Sequence, residues 1–199
     1  MSDPSIADAD LTARAKIRNA ALDLYAEHGE DRVSMRAVAA AAGVTVGLVQ
    51  HHFTTKDGLR DAVDQLVVDY HARAIAEAPD GGSPAADAEA RDRAVATMLR
   101  EHPNVVNYMR RVLLDPASDG RLLARLTELS RETVADLREG GMASTSRSVA
   151  EQTVGLMVRQ VGQLFLQPMV DTMWTQLSAD DPQADTKPTL TVQARTGSG

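Results

Sequence analysis

Apolar side chains recur along this chain at helical spacing and nowhere alternate with polar ones over the length of a strand. Ile17, Ala20, Ala21, Leu24 and Tyr25 fall at i, i+3, i+4, i+7 and i+8, which places them on one helix face. Gly29 then stops a first helix. Ser34 is placed to cap a short second helix reaching about Ala42, since its hydroxyl can accept from an amide left unpaired in the first turn. Gly43 interrupts that helix, and Thr45 caps a third from Val46 to about Phe53. Thr55 caps a longer fourth helix, to about Ala78, whose apolar face is Leu59, Val63, Leu66, Val67, Tyr70 and Ala74.

The run PDGGSPAA from Pro79 to Ala86 has no apolar period and reads as a loop. Beyond it, Val95, Met98 and Leu99 mark a fifth helix. Val105, Tyr108, Met109, Val112 and Leu113 mark a sixth that opens at Pro103, a residue suited to a first turn. A seventh carries Leu122, Leu126, Leu129, Thr133 and Leu137 and ends at Gly140 and Gly141. Ser148 and Glu151 have capping-box spacing ahead of an eighth with Val154, Met157, Val158, Val161 and Phe165. Pro168 is read as opening a ninth, with Val170, Met173, Trp174 and Leu177. The stretch from Ala179 to Gly199 lacks periodicity and reads as a disordered tail. The expected fold is all-α with about nine helices, divided into a domain at 11–55, a second at 56–178 and a tail at 179–199.

Composition narrows the class. At 199 residues and 43% hydrophobic content the chain can bury a core without staples, and with no cysteine it has neither disulfides nor thiolate metal ligands. The acidic start, MSDPSIADAD, has no basic segment followed by an apolar run, and no stretch reaches the roughly 18 apolar residues of a membrane span. A cytoplasmic protein without membrane association is the expectation. A net charge of −7 argues against indiscriminate coating of nucleic acid, which needs many cations against phosphates, yet leaves room for a local basic surface at a specific site.

Two short helices joined by a tight glycine turn and braced by a longer helix are what a helix-turn-helix requires, one helix bracing on the backbone while the next enters a groove about 12 Å wide. The run VSMRAVAAAAGVTVGLVQHHFTTKDGL, with Ile17, Ala20, Ala21, Leu24 and Gly29 before it, resembles the N-terminal domain of the TetR family of bacterial transcription regulators over Ala15 to about Val63. The resemblance implies a homodimer that binds a palindromic operator on double-stranded DNA and releases it on binding a small-molecule effector. It places Arg36, Val46, Gly47, Leu48, Gln50 and His51 facing DNA, and Thr45, His52 and Lys56 against the backbone. The family usually has Tyr where this chain has Gln50, and an amide there can pair with adenine N6 and N7. Arg36 can make bidentate contacts to guanine or phosphate, and Lys56 adds a point charge at a helix start. Val49 and Phe53 on the adjacent face are core positions.

The second domain is expected to bind the effector and hold the dimer. Met98, His102, Tyr108, Met109, Gln160, Gln163 and Trp174 combine apolar walls with a few polar groups, as a small-molecule pocket needs. The interface is expected on the eighth and ninth helices, at Val154, Met157, Val158, Val161, Phe165, Val170 and Met173, whose stripes are broad for a monomer surface. No cofactor or metal is expected: His51 and His52, adjacent on a helix, point about 100° apart. An enzyme is not expected, because no nucleophile with its base, no H-E-x-x-H and no phosphate-cradling glycine loop occurs. The competing reading is a helix-turn-helix-derived protein-protein adaptor that does not bind DNA, prompted by the acidic crowd Asp57, Asp61 and Asp64 on the fourth helix.

Overall fold

A computed structural model describes residues 13–79, 82–181, 183–190 and 192–194, with Ala85 described by its backbone alone. Positions 11 and 12 of the first expected domain, the leading segment, and residues 195–199 of the expected tail lie outside the described residues.

The described residues form eight α-helices and no strand: α1 (Ala13–His28), α2 (Met35–Ala41), α3 (Val46–Phe53), α4 (Lys56–Ala76), α5 (Pro84–Glu101), α6 (Pro103–Leu114), α7 (Arg121–Glu139) and α8 (Val149–Ser178). The all-α expectation holds, with the helix count one below the nine anticipated. The difference lies at Pro168, which sits inside α8 rather than opening a new helix. Proline there removes one backbone donor, but the residues on both sides are good helix formers. Downstream the Thr172 hydroxyl donates to the Pro168 carbonyl at 2.9 Å, and the Thr175 hydroxyl to that of Asp171 at 2.9 Å, bonds that favour a bend in the helix and do not replace the missing amide. A 3-10 turn at Glu30–Arg32, not expected from periodicity, follows Gly29 (φ 81), whose left-handed backbone ends α1.

The chain divides into two compact units. One takes the described residues of Met1–Asp80 and Asp87–Leu126, the other those of Gly81–Ala86 and Thr127–Gly199. In the first, Ile17, Leu22 and Tyr25 of α1, Val38 of α2, Val49 of α3, Leu59, Val63, Leu66 and Val67 of α4, and Val105 and Tyr108 of α6 are buried. Ile17 and Tyr25 on α1 and the four α4 positions belong to the stripes that periodicity picks out, whereas Leu22 lies off the expected α1 stripe and Leu24, which is on it, is half-buried.

In the second unit α7 and α8 meet where the Ser130 hydroxyl donates to the Met157 sulfur at 3.1 Å. The capping box at Ser148 and Glu151 is formed on both sides. Described residues beyond α8 carry no helix or strand and lie along it: Lys187 pairs with Asp171 at 2.9 Å, and the Leu190 amide donates to the Gln167 side chain at 2.8 Å.

Candidate nucleic-acid interface

The two short helices are built by their caps. The Ser34 hydroxyl accepts the Ala37 amide at 3.1 Å and the Thr45 hydroxyl accepts that of Leu48 at 3.3 Å, so each helix begins at a fixed residue. Between them Gly43 stands at φ 66, a backbone that L side chains disfavour, and the Val44 amide closes the turn on the Ala39 carbonyl at 3.0 Å. Val49 and Phe53 anchor α3 inward, and what remains of that helix faces out: Gly47, Gln50 and His51 are exposed, while Val46, Leu48 and His52 are half-buried. Arg36 is exposed on α2. The result is a helix with an amide and an imidazole on its open side, half-buried Val46 and Leu48 beside them, and a guanidinium on the helix before it.

Lys56 is the first residue of α4 and donates to the Asp31 carbonyl at 3.4 Å, which ties the start of α4 to the 3-10 turn. The elbow between α3 and α4 is tight. Thr54 has φ 58 and ψ −52, and the Thr55 amide reaches back to the Phe53 carbonyl at 2.5 Å. This is a γ-turn of the rare positive-φ kind, strained for a β-branched residue. Thr55 then caps α4 by accepting from the Gly58 amide at 3.0 Å. A Cβ at Gly58 would lie 2.5 Å from the Phe53 carbonyl oxygen, so only glycine lets the elbow close.

Sequence reasoning missed Arg14. Its guanidinium stands over the Phe53 ring, 5.3 Å from the centroid, and the side chain is exposed. It brings a cation to the end of α3. Its place three residues before Ile17, on the inward stripe, is the signal that could have found it.

The acidic crowd on α4 is engaged within the fold. Asp57 takes both Arg121 terminal nitrogens, and Asp61 takes Arg125, which also donates to the Asp61 carbonyl at 3.0 Å. The Arg121 hydrogen bond holds Asp57 below the usual carboxylate range. Asp64 is buried and accepts the Tyr108 phenol at 2.6 Å. Arg60 pairs with Glu30 at 3.0 Å and with Asp119 at 3.0 Å. These carboxylates therefore do not present a bare negative face against phosphate.

Two of the expected pocket residues meet at one cavity. Met98 and His102 line an open cavity of about 420 Å³ beside α4 and α5, together with Tyr70 and the charged Arg73, Glu77 and Arg93, and the Tyr70 and His102 rings lie 4.4 Å apart. Tyr108 and Met109 are buried on α6 and do not line it. Gln160, Gln163 and Trp174 are half-buried on α8, in the other unit. Of the expected interface residues, Val154 is 53% and Met173 50% exposed, while Met157, Val158, Val161, Phe165 and Val170 are half-buried. Among the described residues no group of three or more His, Asp or Glu could hold a metal, and no helix is long and apolar enough to cross a membrane.

Capped short helices, a glycine turn, an inward anchor and an outward polar stripe define a helix-turn-helix domain. Residues 17–63 match the profile described as bacterial regulatory proteins, tetR family. Over those residues the chain is similar to the N-terminal domain of that family. It is 52% identical over 61 residues to the HTH-type transcriptional regulatory protein RaaS of Mycobacterium tuberculosis, covering 31% of this chain and 28% of RaaS. Over 132 residues it is 36% identical to the HTH-type transcriptional repressor Rv3405c of the same organism, covering 56% of this chain and 64% of that protein. The chain thus spans less than two thirds of either curated relative. The TetR family regulator PfmR of Thermus thermophilus shares the fold, with a TM-score of 0.54 at 19% identity over 84% of this chain and 88% of that one.

Proposed function

We propose that this chain is a transcription repressor that binds a palindromic operator as a homodimer and is released by a small-molecule effector. The observation that carries the reading is the outward stripe of α3, Gly47, Gln50 and His51, held rigidly by buried Val49 and Phe53 and flanked by exposed Arg36. A rigid helix of this size, anchored on one face and open on the other, suits direct reading of base edges in the major groove. The identity to RaaS over the matched 61 residues supports it, and the naming of Rv3405c as a repressor favours repression over activation.

Dimerisation follows from what one such domain can do: it covers half a site and binds weakly. In α8, thirty residues long, only Thr153 is buried, and Val154, Leu166, Met169, Met173 and Leu177 are exposed. An apolar stripe of that length is expected to be covered by a second copy. Release by an effector is supported by the cavity beside α4 and α5. Its occupant must bind the DNA-incompetent state better than the operator-bound one.

The test is selection of bound fragments from genomic DNA flanking the encoding gene, with the unaltered chain and with Arg36→Ala and Lys56→Ala. A palindrome recovered by the first and lost with the variants supports the proposal, and no enrichment at low salt contradicts it. The competing adaptor reading is prompted by Asp57, Asp61 and Asp64, and the pairing of Asp57 with Arg121, of Asp61 with Arg125 and of Asp64 with Tyr108 favours the DNA-binding reading over it.

A further inference from the structure

The cluster that DNA reading leaves unused lies on α6. Asn104, Tyr108 and Arg111 stand at i, i+4 and i+7, one stripe along that helix. Each makes a polar contact outside it. The Asn104 amide donates to Asp23 at 2.6 Å, and the Tyr108 phenol to Asp64 at 2.6 Å. Arg111 donates through Nε to the Ala26 carbonyl at 2.8 Å and through Nη2 to the Glu27 carbonyl at 2.7 Å. The Tyr108 ring also stacks on Tyr25, with centroids 6.4 Å apart.

Ala26 and Glu27 belong to the last turn of α1, whose carbonyls have no partner within their own helix. A guanidinium there satisfies two of them and sits where a helix end favours positive charge. The chain leaves α1 directly afterwards, through Gly29 and the turn at Glu30–Arg32, and reaches the cap of α2 at Ser34. Whatever fixes the end of α1 therefore fixes where α2 and α3 begin.

We infer that Arg111 is a positioning residue for DNA recognition: α6, gripping the C-terminal turn of α1 through Arg111 and its middle through Asn104, sets the placement of the reading helices. The inference rests on the DNA-binding reading above. It makes α6 a second attachment of the reading helices to the rest of the chain, besides the covalent one through α4, and one that acts without touching DNA.

The experiment uses the full chain, with Arg111→Ala, Arg111→Lys and Asn104→Ala, and the duplex that the unaltered chain enriches from a random-insert library. Arg111→Ala is expected to weaken binding to that duplex about tenfold, equivalent to about 1.4 kcal/mol. Binding to a scrambled duplex and the dependence on salt should not change, because no phosphate contact is lost. Arg111→Lys should recover part of the loss, and Asn104→Ala should show a smaller one. Amide exchange from His28 to Ser34 should quicken in Arg111→Ala with no DNA present. A merely structural role would lower the melting temperature but leave the ratio of specific to scrambled binding where it was, and that result overturns the inference. A salt slope that falls with Arg111→Ala overturns it too, by making Arg111 a phosphate contact. If Arg111→Ala does not fold, Arg111→Lys and Asn104→Ala carry the same decision. If the unaltered chain enriches no duplex, the DNA reading fails, and the exchange measurement alone decides whether Arg111 fixes the end of α1: unchanged exchange rejects it.

Discussion

Tyr108 on α6 donates its phenol to Asp64 on α4 at 2.6 Å, and both side chains are buried. The other Asp64 oxygen meets no hydrogen-bond donor among the described residues. Removing the one donor leaves a buried carboxylate with no hydrogen-bond donor, so Tyr108→Phe should lower unfolding stability by about 1–3 kcal/mol in urea titration.

The same carboxyl predicts a pH dependence. Burial, the largest influence, pushes Asp64 upward, against the opposing pull of Tyr108, Arg60, Arg125 and Arg121. A carboxyl raised in the folded state binds its proton more tightly there than in the unfolded chain. Its contribution to stability is therefore greatest in acid and is lost as pH rises from about 4 through the folded value. The unfolding free energy of the unaltered chain, minus that of Asp64→Asn, should fall over that interval. Asp57 and Asp119, which their arginine contacts shift the other way, are common to both proteins and cancel. A difference that grows with pH would show that Tyr108 and the arginines outweigh burial.

The elbow between the reading helix and α4 should tolerate a change at one residue and not at another. Gly58→Ala forces a Cβ to within 2.5 Å of the Phe53 carbonyl and should displace α3 from α4, abolishing specific DNA binding. Thr54→Gly relieves the positive φ and should raise stability by about 1 kcal/mol. Thermal unfolding of both variants checks the pair. A destabilised Thr54→Gly would mean that the threonine side chain supports the turn.

Arg36 and Lys56 are cations beside the open face of α3, and their loss should show in salt dependence. Each alanine variant should lower the slope of log affinity against log salt by about one. Gln50→Ala, which removes no charge, should leave the slope alone and relax preference at one base pair. Equal slopes in all three variants would remove Arg36 and Lys56 from the phosphate contacts.

The apolar stripe of α8 should be the homodimer contact. Met169→Glu combined with Met173→Glu, at positions 59% and 50% exposed, should give monomers in sedimentation without loss of helix content. Val161→Glu and Phe165→Glu should do the same, with some loss of stability because both are half-buried. A dimer that survives all four changes would place the interface elsewhere.

The reading domain was legible because its signals are local. Ser34, Thr45 and Thr55 cap within three residues, and Ile17, Tyr25, Val49, Phe53, Leu59 and Val63 keep the helical period. What escaped lies far apart in the chain. Asp57, Asp61 and Asp64 look like an acidic patch until Arg121, Arg125 and Tyr108 are placed beside them, and those partners stand 44 to 64 residues away. The grip of Arg111 on Ala26 and Glu27 spans 84 to 85 residues and shows no periodicity of its own. Pro168 misled for the opposite reason. Its local signal favours a helix start, and the helix-forming residues on both sides carry the helix through.

Two copies of α3 that read two half-sites would leave a paired hydroxyl-radical footprint on the enriched duplex, the most direct test of DNA reading. The prediction is two protected windows on one face of the DNA, about one helical turn apart (10–10.5 base pairs), both lost with Arg36→Ala. A single window, or protection that moves indifferently along the duplex, would contradict it.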